Sequence, residues 1–358
     1  MHISLKPTKP QHPDLYLNNI KLKVVESHTH LGITFNDSMT WTNHIDKIAA
    51  KAMSRVHTLK RIRYNIPKMT ALTIYKSLVR PVMEYGDVLF DNMPLFLCIK
   101  LDKIQREAMI TIIRAFRITS TSALESELSL ESLSIRRKMH RLILYFKMLN
   151  GLTPPYLKNL LPLQQAPRDR YLLRERGIPV PLSRIVRYRK SFIVQTTRDW
   201  NILHTRLKDI KEISRFKVEM KSYFYISKPN KLLFFGNEPA SIHHSRMRLG
   251  ISHINAQLFH YIKVVNPDCP HCPNIPENLE HFFLICPHHI QQRNAMLQRL
   301  HTLQNANDIE ITSLPSKLKI KLFLQGDPKL NFTLNSAIFI EVQRFIESTK
   351  RFKPKSNS

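Results

Sequence analysis

Three of the chain's four cysteines fall within residues 269–286, in the stretch CPHCPNIPENLEHFFLICP that runs on to Pro287. A histidine, His281, stands between the second and the third. Written as spacing, the stretch is Cys-x2-Cys-x8-His-x4-Cys, with Cys269, Cys272, His281 and Cys286 as the candidate ligands. Two residues between sulfurs allow a tight turn to bring both thiolates to one point, and His281 with Cys286 would complete a tetrahedral Cys3His set. Thiolates favour Zn²⁺ over hard cations such as Mg²⁺ or Ca²⁺. Closed coordination by four protein groups implies a structural site, with no position left for substrate. His271, His288 and His289 lie close enough to compete for the fourth place. The competing reading is three buried, reduced cysteines with an incidental histidine. Phe282, Phe283, Leu284 and Ile285 offer a small core beneath the loop, too small to fold alone, so metal binding would supply the missing folding free energy. Cys98 stands alone in an apolar helical setting and reads as a core residue.

The chain that carries this stretch is strongly basic. Its 358 residues hold 55 Lys and Arg against 27 Asp and Glu, a formal net charge of +28. Such a balance favours an anionic partner, RNA or DNA first. No apolar run approaches the roughly 20 residues of a bilayer span, and MHISLKPTKPQHPDLYL lacks the apolar core of a secretory signal, so no membrane partner is expected. Cysteine usage fits a reducing compartment, nucleus or cytoplasm. With 7 glycines the chain shows no GxGxxG and no GxxxxGK[ST] loop, and neither GxSxG nor HExxH appears. No small-molecule substrate is expected. Oligomeric state is not readable.

The expected fold is mainly α, with short N-terminal strands, a helical bundle and a small C-terminal zinc-binding module. LYLNNIKLKVV (15–25) reads as a hairpin turning at Asn18-Asn19, and HLGITF (30–35) as a third strand. Helical periodicity starts near Thr42, with Ile45, Ile48, Ala52, Val56, Leu59 and Ile62 on one face. A second helix opens at Pro67, with Met69, Leu72, Tyr75, Leu78 and Val79 inward, and ends or kinks at Arg80-Pro81. A third runs over 95–116 and a fourth over 130–149, stopping at Asn150-Gly151. Further helices are expected over 196–208, 213–225 and 335–349. These signals divide the chain into strands over 1–40, a helical domain over 41–151, a basic Pro-punctuated linker over 152–193, a helical region over 194–258, the metal module over 259–295 and a helical tail over 296–358.

Within the linker, RDRYLLRERGIPVPLSRIVRYRK (168–190) carries eight basic residues against two acidic ones. Arg168, Arg170, Arg174, Arg176, Arg184, Arg187, Arg189 and Lys190 are the candidate phosphate contacts, and Tyr171 and Tyr188 offer faces for unpaired bases. Lys100 to Arg106 can add basic contacts. The alternative is an arginine-rich linker lying on acidic helix faces.

Several blocks resemble, in order, the region after the catalytic palm in reverse transcriptases of jockey-like non-LTR retrotransposons. They are YLNNIKLKVVESHTHLGITFNDSMTWTNHIDKIAAKA, SLVRPVMEYGDVLF, KLDKIQREAMITI, YRKSFIVQTTRDWNILHTRL, RMRLGISHINAQLF, the Cys/His stretch, and GDPKLNFTLNSAIFIEVQRFIESTKRF. The resemblance implies that His30, Leu31 and Gly32 correspond to the primer-grip strand. It makes the helices over 42–150 a thumb, and Cys269, Cys272, His281 and Cys286 the C-terminal zinc module that engages nucleic acid.

One departure governs the functional expectation. Polymerase chemistry of this family needs carboxylates for two Mg²⁺ ions, among them an adjacent aspartate pair, and the sequence contains no Asp-Asp. Only 72 residues follow Cys286, without a convincing Asp/Glu/Lys nuclease set. The expectation is a nucleic-acid-binding C-terminal fragment with no catalytic residues, no Mg²⁺ site and no polymerase activity of its own. The alternatives are an active RNA-directed DNA polymerase when joined to an upstream palm, and a helical scaffold put to a host use.

Overall fold

The computed structural model describes residues 1, 3, 13–162, 177–224, 230–236, 238–262, 266–307 and 309–352. It is mainly helical. Two N-terminal hairpins come first: β1 (Tyr16–Leu17) with β2 (Ile20–Lys21), and β3 (Ser27–His30) with β4 (Ile33–Asn36). Asn18 and Asn19 take positive φ in the first turn, as the asparagine pair predicts. HLGITF is not one strand. Leu31 and Gly32 both have positive φ, at 47° and 81°, and turn the chain between β3 and β4; the glycine makes that turn affordable.

The helices then follow as α1 (Thr42–Ile62), α2 (Lys68–Ile74), α3 (Arg80–Glu84), α4 (Asp87–Phe90), α5 (Leu95–Ile113), α6 (Thr121–Leu128), α7 (Leu133–Leu149) and α8 (Pro155–Lys158). Next come α9 (Val186–Arg189), α10 (Phe192–Ile202), α11 (Thr205–Lys208), α12 (Ile213–Tyr223), α13 (Ala240–Arg248) and α14 (Asn255–Tyr261). A third hairpin, β5 (Asp268–Cys269) with β6 (Cys272–Pro276), precedes α15 (Ile290–Asn307), α16 (Ser316–Gln325) and α17 (Phe332–Ser348). Among the described residues no helix is long and apolar enough to cross a membrane.

Periodicity places most of the core. Leu97, Leu101, Ile104, Ala108 and Ile112 of α5 are all buried, as are Ile45, Ala52, Val56 and Leu59 of α1. Leu78, expected inward, is 53 % exposed. A π-helical turn over Tyr75–Val79 widens the helix there, so the inward place after Tyr75 falls to the buried Val79, four residues on, and Leu78 is left outside it. That turn also carries the helix into Arg80-Pro81, so the chain does not stop there. The expected fourth helix begins three residues later than read, because the Ser132 hydroxyl caps the Ile135 N–H at 3.3 Å. The stretch over 196–208 is two helices, broken at the extended residue Leu203.

The chain forms two compact units, each drawn from separate segments. One comprises Met1–Thr58, Tyr75–Gln105 and Glu131–Ser227; the other comprises Leu59–Ile74, Arg106–Leu130 and Lys228–Ser358. In the first, α7 presents Met139, Leu142, Tyr145 and Phe146 to Trp200 and Phe216, with the Phe146 and Phe216 rings stacked at 4.2 Å. On the same helix Arg137 reaches Asp91 at 2.9 Å, and Arg141 joins Asp91 at 2.5 Å and Asp199 at 3.0 Å. Arginines that look like surface charge in the sequence are thus internal ties.

The second unit has a core where α15, α16 and α17 meet, around Met296, Leu300, Phe323, Ile338, Val342 and Phe345. It also encloses an ionic cluster. Glu127 accepts from Arg248 at 2.7 and 3.2 Å and from Lys68 at 3.1 Å, and Lys68 further donates to Ser245 at 2.8 Å. All three charged side chains are at most 6 % exposed.

Candidate metal centre and basic surface

The metal stretch is assembled from two short pieces of backbone. β5 and β6 pair antiparallel with Cys269 opposite Cys272, so the Pro270-His271 turn brings the first two sulfurs to one side. The Glu277 N–H, donating to the Pro267 carbonyl at 2.9 Å, closes the base of the hairpin. The chain then enters a single π-helical turn, His281–Ile285. Asn278 accepts the His281 N–H at 2.7 Å and fixes where the turn begins. A wide turn holds five residues, so His281 and Cys286, five apart, return to the same side; the Cys286 N–H donates to the His281 carbonyl at 2.7 Å.

The four side chains converge. Their ligand atoms all lie within 4.8 Å of one another, and all four residues are buried. Cys286 Sγ is 3.8 Å from Cys269 Sγ and 3.9 Å from Cys272 Sγ. Both ring nitrogens of His281 are buried with no hydrogen-bond partner. An imidazole shut away with an unanswered lone pair is unfavourable, by roughly 1–3 kcal/mol, unless something occupies it. Burial pushes the thiols of Cys269, Cys272 and Cys286 up from their ordinary value, and burial lowers His281. The neutral imidazole is the form that ligates, and a bound cation would offset the thiol shift by stabilising thiolates. The group can hold a metal ion. The neighbouring histidines stand apart: His271 and His288 stack ring on ring at 3.5 Å and 10°, and His281 is the one grouped with the sulfurs.

The surroundings differ from the isolated small core expected of the sequence. Phe282 and Phe283 leave the π turn directly into the α15–α17 core, with centroids 5.3 and 5.6 Å from Phe345, while Ile285 is 55 % exposed. Metal binding is therefore not the sole support of this region. Arg293 of α15, buried, donates to the Phe283 carbonyl at 3.0 Å and to the Cys286 carbonyl at 2.5 Å, holding the last ligand in place. Arg351 forks onto Glu277 at 2.7 Å through each of two nitrogens and also reaches Asn255 at 3.0 Å. Neither arginine carries a spacing signal in the sequence; both were missed.

Of the expected phosphate contacts, Arg168, Arg170, Tyr171, Arg174 and Arg176 lie outside the described residues. Arg184, Arg187, Tyr188, Arg189 and Lys190 sit on or beside α9, and all five are exposed. None of these four cations has a carboxylate partner among the described residues; Arg187 donates only to the Ser38 carbonyl, at 3.4 Å. Tyr188 is 49 % exposed. The 100–106 segment is less free than expected. Lys100 pairs with Asp46 at 2.7 Å, and Arg106 donates to the Thr119 carbonyl at 2.9 Å and to that of Arg117. His30, Leu31 and Gly32 form the end of the β3–β4 hairpin, where Leu31 is 76 % exposed and its carbonyl accepts from Tyr85 Oη at 2.9 Å. No family model, curated protein or solved structure matches this chain.

Proposed function

We propose that this chain holds RNA or DNA, as the C-terminal, post-palm part of a retroelement reverse transcriptase, and does not polymerise by itself. The observation that carries the reading is the α9 segment, where the exposed Arg184, Arg187, Arg189 and Lys190 flank the exposed Tyr188 in sequence and have no carboxylate partner among the described residues. Guanidinium forks suit phosphate oxygens, and a half-exposed phenol ring suits the face of an unpaired base. A net charge of +28 adds long-range attraction for any polyanion. The sequence has no adjacent aspartate pair with which to hold two Mg²⁺ ions.

In this reading the Cys/His group takes structural Zn²⁺. Metal–sulfur bonds of about 2.3 Å in a tetrahedron put sulfurs about 3.8 Å apart, and the separations of 3.8 and 3.9 Å at Cys286 match that edge. The ion would cross-link β5, β6 and the π turn. Cys269, Cys272, His281 and Cys286 would hold it, with Arg293 and Asn278 fixing the backbone that carries two of them.

Fluorescence anisotropy with labelled single-stranded RNA and DNA tests the proposal. The wild-type chain is expected to bind both at low salt, and the triple substitution R187Q/R189Q/K190Q to weaken both alike. Undiminished binding by the triple variant would remove α9 from the reading. Extension of a primer by the isolated chain would overturn the non-catalytic part.

A further inference from the structure

The first unit contains an open cleft of about 450 Å³ between α7 and α12, bordered by α4. Its floor is aliphatic: Met139, Ile143 and Leu144 from α7, and Val88 from α4. Its rim is cationic, with Lys147 from α7 and Lys217 and Lys221 from α12. The two α12 lysines are four residues apart, on one face of the helix and about 6 Å along it. None of the three lysines has an acidic partner among the described residues. Glu219, between two of them, is the carboxylate nearest in sequence, and it pairs instead with Arg206 at 3.6 Å. His140 also lines the cleft, and its Nδ1 is 2.6 Å from the buried Asp87 carboxylate.

We propose that this cleft docks an acidic amphipathic segment of a partner protein, its leucine-like side chains on the floor and its carboxylates on the lysines. The chemistry of the lining separates this occupant from polynucleotide. Its one aromatic ring is the His140 imidazole, tied through Nδ1 to the Asp87 carboxylate; the lining holds no phenyl, phenol or indole ring on which a base could stack, no arginine to fork onto phosphate, and no amide side chain to read a base edge. What it offers is aliphatic surface flanked by point charges on flexible stems, the complement of an amphipathic helix with a carboxylate-rich border. Met139 adds an unbranched, adaptable side chain to the floor. The site shares no residue with α9, so it stands independently of the polynucleotide surface.

The test uses the full chain and three labelled probes followed by anisotropy. One is a synthetic peptide of about 14 residues with leucines at i, i+3, i+4 and i+7 spacing and glutamates between them. The second is the same composition in an order that scatters the leucines, and the third is oligothymidylate. The amphipathic peptide is expected to bind about tenfold more tightly than its scattered isomer. K217Q/K221Q, at two exposed lysines, should weaken it roughly threefold to tenfold. L144Q should weaken it by about tenfold or more while leaving oligothymidylate binding unchanged. Equal binding of the two peptide isomers would overturn the proposal. So would peptide binding indifferent to K217Q/K221Q, a variant whose exposed positions leave the fold intact. If K217Q/K221Q weakens oligothymidylate and not the peptide, the cleft belongs to polynucleotide and the proposal fails.

Discussion

Replacing Glu127 by glutamine keeps the side chain's shape and removes one negative charge from between Lys68 and Arg248. Burial pushes the Glu127 carboxyl up, but Arg248 and Lys68 together outweigh it and hold the group down at about 2. Against an ordinary value of 4.5, at about 1.4 kcal/mol per pKa unit, the carboxylate contributes on the order of 3 kcal/mol to folding at neutral pH. An independent route gives the same size: breaking one partner out of a buried ion group costs about 3–5 kcal/mol, because the remaining charges stay desolvated. For a cooperative unit of about 150–250 residues that is a fall in Tm of roughly 6–12 °C. Because the folded-state pKa lies below the unfolded one, the contribution is complete above about pH 5 and fades as pH falls toward 2. Thermal unfolding followed by circular dichroism, with wild type and E127Q compared from pH 7 downward, reads both effects. The two curves should be well separated at pH 7 and converge in acid. A loss below about 1 kcal/mol at pH 7, or a constant gap down to pH 2, would refute the claim that this carboxylate is buried and paired.

Three further outcomes follow from the same geometry. C272S should take bound metal from about one ion per chain to none by elemental analysis, while α15–α17 helicity largely persists because Phe282 and Phe283 are anchored in that core. Unchanged metal stoichiometry would remove Cys272 from the ligand set. R293A leaves all four ligands present but frees the Phe283 and Cys286 carbonyls; metal affinity, measured by competition with a chelator, should fall roughly 10- to 100-fold. S132A removes the N-cap of α7 and should lower stability by about 1 kcal/mol in urea unfolding.

The Cys/His group was legible because its information is local: three cysteines and a histidine within eighteen positions, with spacings that a turn and a helical loop can close. The helical stripes of α1 and α5 were legible for a similar reason, since period alone selects the buried face. Leu78 was misplaced because a π turn changes that period, and nothing in YKSLV announces one. Nothing in the sequence marks Lys68, Arg248 and Glu127 for burial, which is possible only because residues distant in sequence supply their partners. HLGITF was read as a strand because its apolar residues suit one; the Leu31-Gly32 turn depends on β3, whose residues SHTH give little strand signal. Arg293 acts on backbone carbonyls, which carry no sequence pattern, so its role in holding Cys286 was invisible until the chain was folded.

The most direct test of polynucleotide binding is the salt dependence of affinity for a single-stranded probe, measured with wild type and R187Q/R189Q/K190Q side by side. Each phosphate contact on a single strand contributes about 0.7 to the slope of log K against log salt, so losing three should flatten it by about 2. A steep linear wild-type slope that flattens by that amount is the expected result. Absence of binding at low salt, or a slope the triple substitution leaves untouched, would contradict it.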